Sequence, residues 1–299
     1  MAKNIRLLSP LRYPGSKKRL SDYICDTLLQ NNFTPSLYVE PFVGGGSVFL
    51  KLLQEDLIEK AVLIDRDPWV ASFWRTVFWD TDWLLKQIEE AVVTLGEWER
   101  LKNGNPKTTR ERAWTCLFLN RTSFSGILEK TAGPLGGKSQ KGRYKIDCRF
   151  PRETLISRIK NISKYREKVF AILDLSWNDG LVWINNKQKK GVLPSDRVFY
   201  YFDPPFFNKA SALYRYYFNN GDHRRLRDAL LQLTDKWILS YDSAEEVEEL
   251  YGTALRHRTN GAKKHSIETL YSASTMQERK KGKEVILSNF EYLPPLERS

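Results

Sequence analysis

A chain of 299 residues, 41% of them hydrophobic and 28% charged, is long enough for one large globular domain or two unequal ones. It contains no run of about 18 apolar residues, so we expect no membrane-spanning helix, and its first residues lack the apolar core of a signal peptide. The 48 basic and 36 acidic residues give a net charge of +12, which favours a polyanionic partner such as nucleic acid over a merely solvated basic surface.

The cysteines and histidines are few and scattered along the chain. The six residues are Cys25, Cys116, Cys148, His223, His257 and His265. No two cysteines have the C-x-x-C spacing of a metal or redox pair. The pattern therefore predicts neither a disulfide framework nor a metal site, and it fits a reducing cytoplasm.

The first third of the chain has the pattern of a βαβ unit. An apolar strand (residues 36–42), a glycine turn (44–46), an amphipathic helix (47–54) and a second strand (61–64) follow one another. Asp65 ends the second strand, and a further helix is predicted from Pro68. This order predicts a parallel sheet with helices packed against it.

Between residues 82 and 168 the pattern changes. Helices are predicted over residues 82–95 and 110–120, and residues 131–150 then combine four glycines with many basic side chains. We interpret residues 82–168 as an inserted, mostly helical domain whose loop or hairpin presents a positive face. Residues 1–81 and 169–299 then form one discontinuous domain around it.

A sheet pattern returns after the insertion. Strands are predicted over residues 169–174, 197–203, 237–240 and 284–288, with a helix over residues 222–233. The polar stretch 178–196, between the first two of these strands, is predicted to be a surface loop.

Carboxylates at the ends of the first two predicted strands suggest a nucleoside site. Glu40 precedes the glycine turn, where the backbone can approach a ligand and a helix begins with free N–H groups. In nucleoside-binding βαβ units an acid at the position of Asp65 accepts hydrogen bonds from ribose hydroxyls; the alternative is that Asp65 caps the next helix. Glu40 would repel a phosphate, so the pair predicts a nucleoside with a positive charge, a description that S-adenosylmethionine meets.

Asp203-Pro204-Pro205-Phe206 follows the predicted strand 197–203 and must end it, because proline donates no N–H and restricts the residue before it. The Asp203 carboxylate and the Pro204 carbonyl are suited to accept the two hydrogens of an exocyclic amine, which would free the nitrogen lone pair for methylation. The Phe206 ring offers a surface on which a base stacks. A plain proline-terminated strand is the alternative.

Residues 12–17, RYPGSK, form a further candidate segment. Tyr13 and Lys17 flank a tight turn, and they are placed to close over the adenosine and the carboxylate of a cofactor. The alternative is a solvated N-terminal turn.

With these segments in order, the sequence resembles the DNA adenine methylase (Dam-like, D12) family of N6-adenine methyltransferases. The motifs that carry the resemblance are RYPGSK, EPFVGGGSVFL, VLIDRDP, FLNRTSFSG, GRYK and YFDPPF, followed by NGDHRRL and KEVILSNF. They span nearly the whole chain. The resemblance implies an α/β fold of the Rossmann-like, S-adenosylmethionine-dependent methyltransferase type, with a mostly helical target-recognition insertion that carries a basic hairpin.

The resemblance implies that Tyr13, Lys17, Asp65 and Asp203 contact S-adenosylmethionine, and that Asp203 also binds the target amine. The proposed cofactor-binding residues are Tyr13, Lys17, Glu40, Phe42, Gly44, Gly46, Asp65 and Asp203, and the proposed catalytic residues are Asp203, Pro204, Pro205 and Phe206. Tyr13 replaces the more usual tryptophan and Phe206 the commoner tyrosine, and both substitutions keep a ring that stacks.

The recognition segment departs further from the family pattern. GATC-specific members have an aromatic-Asn-Gly stretch followed by an arginine that reads a base, whereas this chain has Ser125 for the asparagine and Glu129 for the arginine. A glutamate accepts a hydrogen bond from cytosine N4 but cannot make the bidentate guanine contact of arginine, so we expect a target other than GATC. The DNA-binding candidates are Arg121, Phe124, Ser125, Glu129, Lys138, Lys141, Arg143 and Tyr144.

The sequence is thus interpreted as a site-specific DNA adenine-N6 methyltransferase that acts on a flipped-out base. Methylation of cytosine N4 is the alternative within the same chemistry, although that group more often has serine in place of Asp203. A catalytically silent DNA-binding module is the alternative from another class. The expected partner is double-stranded DNA. The prediction also allows a cognate restriction endonuclease, which activity does not require. The expected state is a cytoplasmic, nucleoid-associated monomer.

Overall fold

The computed structural model describes residues 6–12, 18–207, 215–242, 245–257, 261–270 and 281–295. Within these ranges the α-helices are α1 Lys18–Gln30, α2 Ser47–Gln54, α3 Pro68–Trp79, α4 Thr81–Glu89, α5 Leu95–Asn103, α6 Thr109–Thr122, α7 Arg152–Ser163, α8 Trp177–Lys189, α9 Asn220–Gln232 and α10 Glu245–Arg256. The strands are β1 Leu37–Glu40, β2 Lys60–Ile64, β3 Val169–Leu173, β4 Val198–Phe202, β5 Lys236–Asp242, β6 Lys263–Leu270 and β7 Lys281–Ser288.

The seven strands form one sheet in the order β3-β2-β1-β4-β5-β7-β6. The first five strands in this order are parallel, and β7 runs antiparallel to both β5 and β6. The chain starts at β1 and winds outward first to one side and then to the other, which is the order of doubly wound, dinucleotide-binding sheets. The prediction of a parallel α/β sheet is confirmed.

Both faces of the sheet are covered. Successive side chains of a strand point to opposite faces: Tyr38 of β1 belongs to the apolar cluster on one face, and Leu37 and Val39 belong to the cluster on the other. All four residues of β1 are buried. Such strands, apolar on both sides, are typical of a parallel sheet between two helical layers. Because both faces are buried, these strands are short apolar runs in the sequence, which made them predictable.

The turn from β2 into α3 follows local rules of capping. Asp67 accepts a hydrogen bond from the backbone N–H of Trp69 at 2.9 Å, and Pro68 takes the first helical position, where its missing N–H is not needed. The helix predicted from Pro68 and the helix predicted over residues 47–54 are both confirmed.

The predicted surface loop at residues 178–196 is wrong, because most of it lies in α8. Ser176 caps this helix by accepting a hydrogen bond from the backbone N–H of Asp179 at 3.2 Å. Trp177 and Ile184 are buried against the sheet, and Gly180 approaches β2 so closely that an added Cβ would lie 2.5 Å from a side-chain carbon of Ile64. A helix that buries so few residues has too little apolar periodicity to be recognised from its sequence.

The helix predicted over residues 82–95 is also wrong in its extent. Helix α4 ends at Glu89, and α5 begins at Leu95 after its cap, Thr94. The Thr94 hydroxyl accepts a hydrogen bond from the backbone N–H of Glu97 at 3.2 Å, which fixes the start of the new helix. Helices α1, α5, α7 and α10 and strand β6 were not predicted.

The basic segment 131–150 is a loop and not a hairpin, since its only described β-pairing is an isolated bridge between Ser123 and Pro134. The side chain of Gln140 organises this loop in place of a strand ladder. Its amide nitrogen donates to the carbonyl of Leu135 at 2.6 Å, and its oxygen accepts from the N–H of Ile146 at 2.8 Å. Glycines and charged residues have low strand propensity, which explains why no ladder forms.

The helices of the predicted insertion share a core with the rest of the chain. Helix α6 packs on α3, and α4 packs on α7. Buried residues of α6, such as Leu117 and Phe118, belong to the same apolar cluster as Phe73 and Trp74 of α3. The division at residues 82 and 168 therefore stays a prediction. No helix of the described residues is both long and apolar enough to cross a membrane.

Candidate active site

The strands β1, β2 and β4 bring three carboxylates to one edge of the sheet. Glu40 is the last residue of β1, and Asp65 and Asp203 directly follow β2 and β4. Because β1 lies between β2 and β4, this is the point where the strand order reverses, the usual ligand site of such sheets. A cavity of about 730 Å³ opens here. The predicted residues Glu40, Phe42, Gly44, Gly46, Asp65, Asp203, Pro205 and Phe206 all line it.

Glu40 is held in the floor of the cavity. Its side chain is 3% exposed, and its carboxylate accepts a hydrogen bond from the hydroxyl of Tyr38 at 2.8 Å. Burial raises the pKa of Glu40 well above its ordinary value, and the nearby charges of Asp203 and Asp65 raise it further, against the opposing effect of the Tyr38 hydroxyl. A negative charge is therefore costly here unless a cation shares the cavity.

Both carboxylate oxygens of Asp65 accept hydrogen bonds from backbone N–H groups. One oxygen accepts from the N–H of Gly44 at 2.9 Å and the other from the N–H of Asp67 at 2.8 Å. Burial, followed by the charge of Asp67, raises the pKa of Asp65 to about 7. The alternative role of Asp65 as a helix cap does not hold, because Asp67 caps α3. Asp65 instead ties the glycine turn to the end of β2.

The glycine turn is shaped by Trp74 of α3. The indole N–H of Trp74 donates to the carbonyl of Gly44 at 2.9 Å. Gly46 has a φ of 62°, and a Cβ on it would lie 2.8 Å from the Trp74 ring. Only glycine satisfies both the left-handed backbone and the close ring, so the turn keeps a bare backbone toward the cavity.

Asp203 is oriented by a side chain that was not predicted from the sequence. The hydroxyl of Ser240 donates to Asp203 at 2.9 Å, and Ser240 is itself 2.9 Å from the hydroxyl of Tyr201. Ser240 and Tyr201 are both buried. The parallel register pairs Phe202 with Leu239, so the next residue of each strand, Asp203 and Ser240, also lie side by side.

An aromatic cluster supports the segment after the two prolines. The Phe207 ring stacks on the His223 imidazole with centroids 3.7 Å apart, and His223 Nδ1 lies 2.6 Å from the hydroxyl of Tyr241. Burial lowers the pKa of His223 to about 4, which keeps it neutral near pH 7. Phe218 contacts both His223 and Phe42. The cluster thus packs the end of β4 against α9.

Arg215 also lines the cavity, and its sequence did not mark it as a site residue. Its guanidinium lies 3.5 Å from the centroid of the Trp69 ring and donates to the carboxylate of Asp67 at 2.7 Å. These two contacts join Arg215 to the start of α3. No motif marks Arg215, and only the fold shows its contacts.

The recognition candidates are spread around this cavity. Gly126, which follows Ser125, lines the cavity, whereas the side chain of Phe124 is 63% exposed. Ser125 has a φ of 53°, a left-handed conformation that asparagine adopts more readily than serine. Glu129 is half-buried, and its carboxylate lies near the ammonium group of Lys102.

The basic candidates differ in exposure. Lys138, Lys141, Arg143 and Tyr144 are exposed on the loop. Arg121 is 6% exposed and lies in the last turn of α6. The remaining two cofactor candidates, Tyr13 and Lys17, lie outside the described residues. Pro204 is buried, between Asp203 and Pro205 of the cavity lining.

The doubly wound sheet, with carboxylates and a bare glycine turn at its switch point, is that of an α/β protein of the Rossmann-like methyltransferase type. The comparison with protein families makes this specific. Residues 13–273 match the family model of the D12 class N6 adenine-specific DNA methyltransferases, and the chain belongs to this family. The chain is also similar to the type II methyltransferase M.MjaIII of Methanocaldococcus jannaschii. The two are 27% identical over 242 residues, which cover 72% of this chain and 76% of the relative.

The predicted family, fold and activity are thus confirmed. The protein is a DNA methyltransferase that modifies adenine at N6, and the family match favours adenine over cytosine N4. Its substrates are DNA and a methyl donor. The roles of the individual site residues stay predictions.

Proposed function

We propose that this protein transfers the methyl group of S-adenosylmethionine to N6 of an adenine that is flipped out of a specific duplex sequence. The observation that carries the proposal is the position of Asp203. It lies at the switch point of the sheet, is oriented by Ser240, and shares one cavity with Glu40 and Asp65.

The electrostatics of the cavity support S-adenosylmethionine as the donor. Burial and the charges of neighbouring carboxylates raise the pKa values of Glu40 and Asp65, so a ligand with a sulfonium and an ammonium group would be favoured there. Asp65 would accept hydrogen bonds from the ribose hydroxyls. Because the floor of the site is acidic, a ligand with a phosphate in this position would be repelled.

The donor supplies an electrophilic methyl group, and the residues of this chain prepare the nitrogen that receives it. The Asp203 carboxylate and the Pro204 carbonyl would each accept one hydrogen of the adenine N6 amine. Both hydrogens then lie in fixed directions, and the nitrogen lone pair, otherwise conjugated with the ring, is directed at the methyl group. After the N–C bond forms, the nitrogen loses one proton, and the hydrogen bond to Asp203 already points along its path.

Two features would make this geometry rigid. The prolines fix the backbone at the end of β4, and Ser240 fixes the carboxylate of Asp203 at 2.9 Å. Phe206 lines the cavity, where its ring would stack on the flipped adenine. Catalysis would therefore depend on positioning and electrostatics, without prior removal of a proton.

DNA recognition is assigned to residues 82–168, with a target other than GATC because Glu129 stands in place of the base-reading arginine. The exposed loop residues Lys138, Lys141 and Arg143 would contact phosphates, which position the duplex without reading its sequence. We propose that the protein acts as a monomer located with the nucleoid, and that a cognate restriction endonuclease, if the cell has one, is not needed for methylation.

The test uses purified protein, a mixture of duplexes and S-adenosylmethionine with a labelled methyl group, followed by digestion and mass analysis of the nucleosides. We expect label in N6-methyladenine. Asp203→Ala should reduce turnover by about 100-fold or more, as the loss of one preorganised group does in other enzymes, and should leave DNA affinity unchanged. The matched control is Asp196→Ala, an exposed carboxylate just before the same strand. Equal activity of Asp203→Ala and Asp196→Ala would refute the role of Asp203.

A further inference from the structure

Helix α5 contacts both ends of residues 123–129, which we call the recognition segment. At the start of the segment, the indole N–H of Trp98 donates to the hydroxyl of Ser123 at 3.0 Å. At its end, the ammonium group of Lys102 donates to the main-chain carbonyl of Glu129 at 2.6 Å. Trp98 and Lys102 lie one helical turn apart, on the same face of α5. One side of a single helix therefore holds the recognition segment before and after its candidate base readers.

The surroundings of Lys102 do not favour its charge. The side chain is half-buried, and burial lowers the pKa of its ammonium group to about 8, with the charge of Glu129 opposing this shift and the charge of Arg215 adding to it. The Trp98 ring, whose centroid is 5.5 Å from the ammonium nitrogen, offsets part of the cost. An ammonium group in such a place adds little to the stability of the fold. Its contact with the recognition segment points to a role in the function of that segment.

The hydrogen bond from Lys102 goes to the main chain of Glu129 and not to its carboxylate. The same carbonyl accepts from the N–H of Ala132 at 3.1 Å, which closes a turn directly after the recognition segment. Within the part of the chain that the structure describes, the Glu129 carboxylate forms no ion pair, whereas Glu97 of α5 pairs with Arg100. The backbone of Glu129 is thus fixed, and its side chain stays available to a base.

The middle of the recognition segment is held against the active-site cavity. Gly126, Ile127 and Leu128 all line the cavity. The side-chain amide of Asn120, on α6, donates to the carbonyl of Gly126 at 2.8 Å. The segment is therefore fixed at its centre by α6 and at both ends by α5. A side chain that reads a base must be held within about 0.5 Å of its productive position by the residues that support it, and these contacts supply that support.

We propose that Lys102 is a positioning residue for target recognition: its ammonium group fixes the main chain of Glu129, so that the carboxylate meets the edge of one base in the duplex. The proposal rests on the proposed function, in which Glu129 contacts DNA. It deepens that function by assigning part of the sequence preference to a residue of α5, outside the recognition segment. Lys102 itself would touch neither the base nor the cofactor.

The test is methylation of a randomised duplex pool, read by sequencing, with wild type, Lys102→Met, Glu129→Ala and the double variant. Methionine keeps the length of the side chain and removes the ammonium group. Lys102→Met should reduce the preference at one base pair by about fivefold or more, and this should be the base pair that Glu129→Ala affects. The double variant should lose no more preference than Glu129→Ala alone, because Lys102 acts through Glu129.

Two further variants separate positioning from support of the fold. Lys102→Arg keeps a cationic donor and should restore part of the preference. Arg100→Gln removes an exposed cation of the same helix, paired with Glu97, and should keep the wild-type profile. A loss of rate with Lys102→Met that is equal at all sequences would overturn the proposal, and so would a change at a different base pair or additive losses in the double variant. If Lys102→Met fails to fold, Lys102→Gln, which keeps a polar end, gives the same comparison.

Failure of the proposed function gives a different result from failure of this inference. If wild type leaves no N6-methyladenine in the pool, the proposed function is wrong. If Glu129→Ala changes the profile and Lys102→Met does not, the proposed function stands and the positioning role of Lys102 is refuted. If wild type methylates a defined sequence and neither variant changes the profile, Glu129 reads no base, and the role of Lys102 is refuted with it.

Discussion

Replacing Asp65 with asparagine removes a charge from the wall of the cavity and keeps the size of the side chain. The ordinary pKa of an aspartate is 3.8, whereas burial and the charge of Asp67 raise the pKa of Asp65 in the folded chain to about 7. Between these two values the folded protein binds a proton that the unfolded chain does not bind. The stability contributed by Asp65 is therefore present below the lower pKa and is lost as the pH rises toward 7.

The size of this effect follows from the pKa difference. Each pKa unit corresponds to about 1.4 kcal/mol, so the whole shift has an upper limit of about 4 kcal/mol. Asp65 is partly open to the cavity, and solvent there reduces the effect. We expect the unfolding free energy of Asp65→Asn, relative to wild type, to increase by about 2 kcal/mol between pH 5 and pH 8. That corresponds to a melting temperature difference of about 4 °C.

The assay is thermal unfolding of both proteins without ligand at pH 5, 6, 7 and 8. Asparagine keeps an oxygen for one backbone N–H but loses the other hydrogen bond, which lowers the stability of the variant equally at every pH. Only the change of the melting temperature difference with pH therefore reports the titration of Asp65. A melting temperature difference that stays constant from pH 5 to pH 8 would refute it. Asp196→Asn, at the opposite end of the strands, is the control for a general effect of charge removal.

The same substitution should weaken binding of S-adenosylmethionine. A cationic ligand favours the ionised form of Asp65, so wild-type affinity should rise as the pH increases through about 7. Amine groups of the ligand titrate as well, but they contribute equally in both proteins. The difference between wild type and Asp65→Asn in a titration at several pH values therefore isolates Asp65. Equal affinities at pH 8 would mean that Asp65 does not contact the ligand.

Ser240→Ala should lower the single-turnover methylation rate by roughly tenfold, because Asp203 loses the hydroxyl that orients it, and Ser240→Thr should restore part of the rate; equal rates for both variants and wild type would exclude a positioning role. Glu129→Ala should relax the preference at one base pair by about 1–3 kcal/mol when a randomised duplex pool is methylated and sequenced. A profile unchanged from wild type, or efficient GATC methylation by wild type, would contradict the assignment. In the same assay Phe124→Ala should slow methylation at all sequences alike, since stacking carries no sequence information; a change confined to some sequences would point to base reading instead.

The sequence predicted the centre of the site well because local constraints and chemistry coincide there. Each carboxylate follows a short apolar run, and the carboxyl ends of parallel strands meet at one edge of the sheet. Gly46 and the prolines at 204 and 205 restrict the backbone in ways that allow few structures. Glu40, Asp65 and Asp203 are each candidates from the sequence alone, and the structure brings all three to one cavity.

Other parts could not be predicted because they depend on packing between distant segments. Ser240 orients Asp203 only through the register of β4 and β5, which a single sequence does not specify. Helix α8 buries too few residues to give a clear apolar period. Arg121 and Arg12 lie 109 residues apart and meet because Asn120 binds the N-terminal segment. In each case the deciding contact is tertiary.

The most direct test of the central claim is long-read sequencing of DNA from cells that express the protein, compared with cells that express Asp203→Ala. Sequencing reports the modified base and its sequence context in one experiment. We expect N6-methyladenine in one defined sequence context with wild type and no modification with Asp203→Ala. Modified cytosine N4 in place of adenine, or N6-methyladenine that persists at the same sites with Asp203→Ala, would contradict the account.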